Sequence, residues 1–415
     1  MRVSQTGERS RVWSFTSDRF VVDSDPVLLF SLPGSGRSLS ASPPHVQTVS
    51  FGKDHRGGKA IRGPNVVVLL KSAIVGYAAK GLGQALEPFS YEPLELKNNE
   101  VRVSVTHCGL CYSDIFAIED LFAITSFPFV PGHEIVGHVS EVGPFVSGLK
   151  KGDRVGVGWQ GRSCMKCEWC LKGEEHLCDD IAEAGVWTPY GGFSSSVTVD
   201  SRFTYSLSPS MPSEIAAVLL CAGITVYNPL RAGPAGNGRK IGVVGVGGLG
   251  HLAIQFAHAL GYEVTAISSS PDKEGEALGF GADHFLVARD KDSLKPMKTT
   301  FDTLLFTGHT NLDWIPLQRT LKNNGKLVMI GFSPVPVAFE SVDLVVHQQS
   351  FTGSFLGSPT VIREMLDFAH KRGIKPVVET MPMSQVNEAI RRVKEGKARY
   401  RIVLVNEPRH SGKSP

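Results

Sequence analysis

Net charge is nearly absent from this chain. Its 43 Lys and Arg face 40 Asp and Glu, leaving a formal +3 over 415 residues. That balance gives no electrostatic footprint for a nucleic acid or an anionic membrane surface, and a small molecule is the expected partner. No apolar run reaches the roughly 18–20 residues that a membrane-spanning helix needs. The candidate Val66 to Leu70 is strand-sized and stops at Lys71. Cysteine is scarce as well. There are seven, an odd number with four packed into residues 164–178, which does not fit the evenly paired framework of a small secreted domain. Thiolates kept free as metal ligands belong in a reducing compartment, here expected to be the cytoplasm. What remains is ordinary for a globular protein, with 42% hydrophobic and 20% charged residues. The 44 glycines suit tight turns and close approach of backbone to a ligand.

The first 72 residues have a texture of their own. They are rich in Ser, Arg, Gly and Pro, and are broken at Pro33-Gly34-Ser35-Gly36 and Ser42-Pro43-Pro44. Their basic bias leans towards an organelle transit peptide, but Asp18, Asp23 and Asp25 are out of place in one. The segment reads as a disordered extension. From Ile74 the pattern tightens. Glu100-Val-Arg-Val-Ser-Val105 alternates as a half-buried strand does, and short β-like runs continue to about Leu220. From Lys240, strand-like runs Ile241–Val244, Glu263–Ile267, Thr303–Phe306 and Lys326–Ile330 alternate with helical patterns such as Leu249–Leu260. Alternation of that kind predicts an α/β unit with a parallel, doubly wound sheet. Helices over Thr360–Lys371 and Ser384–Glu395 and a last strand, Tyr400–Val405, complete the chain. The expected division is an extension (1–72), a β-rich domain (73–225) with a cysteine lobe (164–178), a cofactor domain (226–360), and a return to the first domain with a tail (361–415).

Cys164, Cys167 and Cys170 form two CxxC steps, and Cys178 follows eight residues on. Two such steps let a tight loop wrap three sulfurs around one ion, and the short spacer delivers the fourth. A zinc closed off by four thiolates has no open position, so it holds a loop and does no chemistry. Lys166, Lys172 and nearby amides are available to offset the charge.

Gly245-Val-Gly247-Gly248-Leu249-Gly250 follows a strand and opens a helix. In that context the first glycine makes the turn, the second admits a pyrophosphate, and the third lets helix pack on strand. The helix N-terminus offers amides and a positive dipole end to phosphates. An acid commonly follows the second strand of such a fold and binds the ribose hydroxyls. Here that strand ends in Ser268-Ser269-Ser270-Pro-Asp-Lys273. Hydroxyls and a lysine favour a 2′-phosphate, hence NADP(H), with Asp272 as the counter-signal.

Three further places carry metal-ligand chemistry: Cys108-Gly-Leu-Cys111-Tyr-Ser-Asp114, Gly132-His133-Glu134, and Cys221 within Leu-Leu-Cys-Ala-Gly-Ile-Thr225. A catalytic zinc takes about three protein ligands and keeps one position open. Residues of this kind could supply it, with Glu134 as a further or alternating ligand and Asp114 orienting the His133 ring. Sequence distance alone does not join them.

Taken in order, these motifs resemble the zinc-dependent medium-chain alcohol dehydrogenases, most closely the cinnamyl-alcohol-dehydrogenase-like branch of NADP-dependent aldehyde reductases. The similarity spans about Ile74 to Val405. It rests on residues 108–114, 131–137, 152–158, the four-cysteine lobe, 220–225 and 245–250. It implies a β-rich, GroES-like catalytic domain beside a Rossmann domain, two zinc ions per chain, and hydride transfer between NADP(H) and a primary alcohol/aldehyde pair. By resemblance, Cys111, His133 and Cys221 hold the catalytic zinc, with Glu134 in the same shell, and the four clustered cysteines hold the other. Ser113 passes the alcohol proton outward. Thr225, Gly247, Gly248, Leu249, Ser269, Ser270 and Lys273 line the cofactor, on the turn bounded by Gly245 and Gly250. The family is commonly dimeric, so a homodimer paired through Rossmann edge strands is expected. Two positions depart from the pattern. Tyr112 stands where His or Arg often touches the pyrophosphate, and Phe116 where a histidine often completes the proton relay. Trp159, Phe116, Leu121 and Phe122 are candidates for the substrate pocket.

The rival readings are a polyol dehydrogenase of the same superfamily, which favours an acid after the second Rossmann strand, and a non-catalytic NADPH-binding scaffold that keeps only the structural metal. Zinc per chain, measured by elemental analysis of purified protein, separates enzyme from scaffold. About two equivalents are expected from one open and one closed site, and about one would favour the scaffold.

Overall fold

The structure is a computed structural model. It describes residues 51–53, 59–63 and 66–69 by their backbone. It also describes residues 73–406, apart from 122, 124, 181–184, 186–187, 189, 234–237, 290–291, 310–311 and 334. Of the expected disordered extension, the described part is an antiparallel meander of β1 (Phe51–Lys53), β2 (Lys59–Gly63) and β3 (Val66–Leu69). The remainder of that expectation lies outside the described residues. Strands β4 (Ile74–Ala78) and β5 (Glu87–Tyr91) pair antiparallel where the pattern tightens.

The first main sheet begins with β6 (Glu100–Leu110), β7 (Glu134–Val142), β8 (Arg154–Val157), β9 (Ser196–Asp200) and β10 (Thr204–Ser206). The second sheet follows with β11 (Lys240–Val244), β12 (Glu263–Ser268), β13 (His284–Val287), β14 (Phe301–Phe306), β15 (Leu321–Met329) and β16 (Ser350–Gly353). The chain then returns to the first sheet with β17 (Val378–Pro382) and β18 (Arg401–Val405). The first sheet runs β10-β8-β7-β6-β18-β17, with β9 against β6. The second, all parallel, runs β13-β12-β11-β14-β15-β16. Its order reverses between β11 and β14, and ligands of such sheets bind at the carboxyl ends of the strands at that point. The β-rich unit and the doubly wound sheet are thus the expected fold class.

Each unit has its own core. Val101, Val103, Leu110, Ile135, Val157 and Ile402 fill the first. The second sheet is filled on one side by Phe301, Leu304 and Phe306. A further cluster on its other side, including Ile241, Leu252, Ile254 and Val264, joins it to Val136 and Tyr205 of the first sheet. The joining element is a helix from Ser213 to Ala232, which runs straight through the 225/226 position expected as a boundary. By length and composition this helix is apolar enough to cross a membrane, which corrects the expectation that no such stretch exists. Counting unbroken apolar runs missed it because Glu214, Thr225 and Asn228 interrupt the run. It is 67% buried inside the protein, as suits a helix packed by both units.

The glycine turn follows β11 and opens helix Gly250–Ala259. Gly245 has φ +100°, a Cβ on Gly247 would meet nothing within 4 Å, and a Cβ on Gly250 would lie 1.9 Å from the Gly245 carbonyl oxygen. Turn, open approach and close packing therefore fall on the three glycines in that order. Gly250→Ala is expected to lower stability by about 1–3 kcal/mol, the usual range for overpacking. Gly247→Ala should stay within about 0.5 kcal/mol. Thermal and denaturant unfolding compare the two, and equal losses would show that the Gly250 contact is not limiting.

Candidate metal and cofactor sites

Asp114 organises the centre of the molecule. Cys111 caps the helix Tyr112–Ile118, and its amide donates to Asp114 Oδ2 at 2.9 Å. The other oxygen, Oδ1, accepts from the Gly132 amide at 2.9 Å and lies 2.8 Å from His133 Nδ1. The carboxylate is fully buried, where an ionised group persists only if it is paired and hydrogen-bonded. With Nδ1–H committed to Asp114, His133 presents Nε2 on the other side. Nε2 lies 3.3 Å from Cys221 Sγ, and Cys221 Sγ lies 3.9 Å from Cys111 Sγ. One ligand atom from each of Cys111, His133, Glu134 and Cys221 falls within 4.8 Å of the others. Ligands about 2.3 Å from a tetrahedral zinc sit about 3.8 Å apart, so the donor set and its spacing fit that ion. Cys221 lies on a π-turn, Leu219–Gly223, inside the long helix, and such turns often accompany functional side chains.

Glu134 begins β7 opposite Gly109 of β6. A Cβ at Gly109 would come 1.9 Å from Glu134 Oε2, so only glycine leaves room for this carboxylate. Arg401, at the start of β18, donates to Glu134 Oε1, while Glu134 Oε2 and Arg401 Nε are buried without a hydrogen-bond partner. An orphaned carboxylate oxygen beside three soft donors fits a further or alternating ligand. The charges answer one another. A hydrogen bond from Cys221, and then one from His133, hold the Cys111 thiol well below its ordinary range against burial. Cys221 is pushed well above by its bond to Cys111 and by burial. Burial lifts Glu134 to about 7 although Arg401 opposes it. Burial pulls His133 down, but Asp114 outweighs it and the imidazole lies well above its usual range. Cys108 is buried, its thiol pushed up by burial, and it stands outside the cluster.

Ser113 is half-buried, with its Oγ 3.6 Å from Cys111 Sγ. The departures Tyr112 and Phe116 lie one turn apart on the same helix. Tyr112 packs on His309 at 4.6 Å between ring centroids, and Phe116 meets Phe332 at 5.9 Å. His309 and Phe332 follow β14 and β15, so these rings span the cleft between the units. Trp159 meets Phe355 at 5.2 Å. Leu121 is 63% exposed, and Phe122 lies outside the described residues.

In the lobe, Cys164, Cys167, Cys170 and Cys178 also bring their sulfurs within 4.8 Å of one another. Backbone amides stabilise them: Cys164 N–H donates to Cys178 Sγ and Cys167 N–H to Cys164 Sγ. Amide bonds, first from Asp179, bring the Cys167 thiol down to about 7, whereas burial pushes Cys178 up to about 12. Lys172, a candidate for offsetting this charge, instead pairs with Glu168.

On the long helix, Thr225 is buried and its hydroxyl donates to the Cys221 carbonyl. Ser269 is exposed and Ser270 half-buried after β12, and Asp272 is exposed. Lys273 reaches back, with Nζ 2.5 Å from the Val246 carbonyl oxygen and 5.4 Å from the Tyr400 ring centroid. Burial, then Arg399, lowers its pKa. Arg401 also lies against the turn, since a Cβ on Gly248 would meet its Cδ at 3.2 Å. Arg401 and His251 were not singled out by sequence. The only signals are a charge opening an apolar strand and a histidine inside an apolar helix.

Residues 97–209 match the family described as alcohol dehydrogenase GroES-like domain, and residues 248–371 the family described as zinc-binding dehydrogenase. The chain is 40% identical to an aldehyde reductase of Synechocystis sp. over 80% of this chain and 98% of that protein. It is 38% identical to probable cinnamyl alcohol dehydrogenase 6 of Arabidopsis thaliana over 79% of this chain and 93% of that one. Among solved structures, a cinnamyl alcohol dehydrogenase of Sorghum bicolor has a TM-score of 0.76 at 36% identity, covering 80% of this chain and 98% of that one. A Helicobacter pylori enzyme complexed with NADP(H) has a TM-score of 0.73 at 30% identity, covering 80% and 98%.

Loss of the Asp114 carboxylate tests its hold on the site. Asp114→Asn is expected to weaken zinc binding at the Cys111 site by about 10–100-fold, as for other groups that orient a ligand, while the four-cysteine site keeps its ion. Chelator competition measures both, and unchanged affinity would remove Asp114 from the ligand-orienting role.

Proposed function

Because the chain belongs to the zinc-dependent alcohol dehydrogenase family and interconverts alcohols and aldehydes, we propose that it is an NADP(H)-dependent reductase of primary aldehydes with two zinc ions per chain. The convergence of Cys111 Sγ, His133 Nε2 and Cys221 Sγ around one point carries this reading. When bound there, zinc supplies Lewis-acid polarisation of the alcohol or aldehyde oxygen, and the nicotinamide gives or takes the hydride. The chain supplies the geometry. Cys111, His133 and Cys221 hold the metal, with Glu134 within reach as an alternating ligand. Asp114 fixes the ring of His133. Ser113 Oγ, beside Cys111, holds the alcohol proton and passes it outward. Phe116, at the next position of the usual relay, has no exchangeable side-chain proton, so this chain supplies no second relay group there.

Gly245, Gly247, Gly248, Leu249 and Gly250 would receive the pyrophosphate, and Thr225 would line the cofactor. Ser269, Ser270 and Lys273 receive the 2′-phosphate. The absence of a carboxylate directly at the end of β12 supports this preference, and Asp272 is exposed two residues beyond Ser270. Cys164, Cys167, Cys170 and Cys178 hold the second zinc as a closed structural site in the lobe 164–178. The catalytic domain comprises residues 73–225 and the return 361–415, and the cofactor domain residues 226–360. Two copies pair through β16, which ends the parallel sheet with exposed positions, beside a helix that exposes Val342, Val345 and Val346. Unpaired edges of this kind invite a partner strand. The cytoplasm, a reducing compartment, suits its free thiols.

A panel of aliphatic and aromatic aldehydes assayed with NADPH and NADH in parallel tests the reading. A kcat/KM at least about tenfold higher with NADPH is expected, which corresponds to about 1.4 kcal/mol. Cys111→Ala should abolish turnover while the circular dichroism spectrum is retained. Equal use of both cofactors would overturn the NADP(H) preference, and near-normal turnover in Cys111→Ala would overturn the ligand assignment.

A further inference from the structure

One buried titratable group takes no part in this chemistry. His251 follows the last glycine of the turn and is fully buried. Its Nδ1 lies 3.0 Å from the Gly247 carbonyl oxygen, and its Nε2 lies 3.2 Å from the Val377 amide nitrogen. The ring stacks on Tyr400 at 4.9 Å and 10°. A carbonyl only accepts and an amide N–H only donates, so the ring is neutral with its proton on Nδ1. Burial agrees, pulling the imidazole down to about 4 against the Gly247 carbonyl, which favours the charged form.

These contacts cross between the two units. Gly247 belongs to the dinucleotide turn, while Val377 and Tyr400 stand immediately before β17 and β18 of the first sheet. One peptide upstream, the Val246 carbonyl is held by Lys273. In a trans peptide, C=O and the following N–H point in opposite directions. Holding the carbonyls of 246 and 247 therefore turns the N–H groups of Gly247 and Gly248 to the opposite face, among the free amides of the helix N-terminus.

We propose that His251 is a positioning residue for the dinucleotide: it fixes the Gly247–Gly248 peptide and ties it to Val377, so that the amides of the turn are aimed at the pyrophosphate before it arrives. The proposal rests on the assignment of this turn to NADP(H). The role needs one donor and one acceptor in one place. A glutamine amide supplies both, whereas phenylalanine keeps the ring volume and supplies neither.

The test is NADPH binding, followed by nicotinamide fluorescence on the zinc-loaded full chain, in wild type, His251→Phe and His251→Gln. The Phe variant is expected to raise the NADPH Kd about tenfold, in keeping with the loss of one or two hydrogen bonds. Its kcat at saturating NADPH and its aldehyde KM should stay within about twofold, and the Gln variant should recover most of the affinity. Wild-type affinity in the Phe variant, or equal loss in both variants, would overturn the proposal. Should His251→Phe fail to fold, nitrogen-15 NMR of the wild-type imidazole decides: protonation on Nδ1 supports the proposal, and protonation on Nε2 overturns it. If wild-type protein binds no dinucleotide, the assignment of the turn itself fails, and the wild-type titration separates that failure from failure of the role of His251.

Discussion

The carboxylate of Asp114 accepts from the Cys111 amide, the Gly132 amide and the ring of His133, and the rest of the site depends on that arrangement. Cys111 begins a helix and His133 ends a loop, and nothing in their local sequences brings them together. Their shared anion does. In a buried, low-dielectric interior, a carboxylate with three donors is held far more firmly than it would be at a surface. Two prospective ligands from separate elements are thereby set before any metal arrives. The third, Cys221, comes from the helix that packs between the two units, and it meets His133 and Cys111 from there.

A second buried pair extends this constraint towards the cofactor. Glu134 sits behind the three donors, in space that Gly109 leaves open, and Arg401 neutralises it. Breaking one partner of such a pair costs far more than the pair contributes. Arg401 also packs against Gly248, and its neighbour Tyr400 stacks on His251. One short strand start, residues 400 and 401, thus touches both the prospective metal shell and the glycine turn. The prospective metal shell and the glycine turn share a scaffold, which suits a reaction that needs a hydride donor and a polarised oxygen in fixed relation.

How much of this was legible in the sequence follows from contact distance along the chain. The four lobe cysteines lie within fifteen positions, and the glycine turn within six, so their geometry is local and their spacing carries it. The alternation over Glu100–Val105 announced the first half of β6, which runs on to Leu110. The open-sided site is another matter. His133 and Cys221 are 88 residues apart and Glu134 and Arg401 are 267 apart, so only resemblance to a family joined the first pair, and nothing pointed to the second. His251 was hidden for a related reason. A histidine in an apolar helix gives no sign of which carbonyl it will meet. The apolar helix Ser213–Ala232 escaped notice because a helix averages its interruptions over its whole surface, whereas a linear count is reset by each polar residue.

The most direct measurement is diffraction from crystals of the zinc-loaded chain on both sides of the zinc absorption edge. The expected result is an anomalous peak about 2.0–2.3 Å from Cys111 Sγ, His133 Nε2 and Cys221 Sγ, with a second among the four lobe sulfurs. A map with no peak between residues 111, 133 and 221, or coordinates in which those atoms lie too far apart to share an ion, would contradict it.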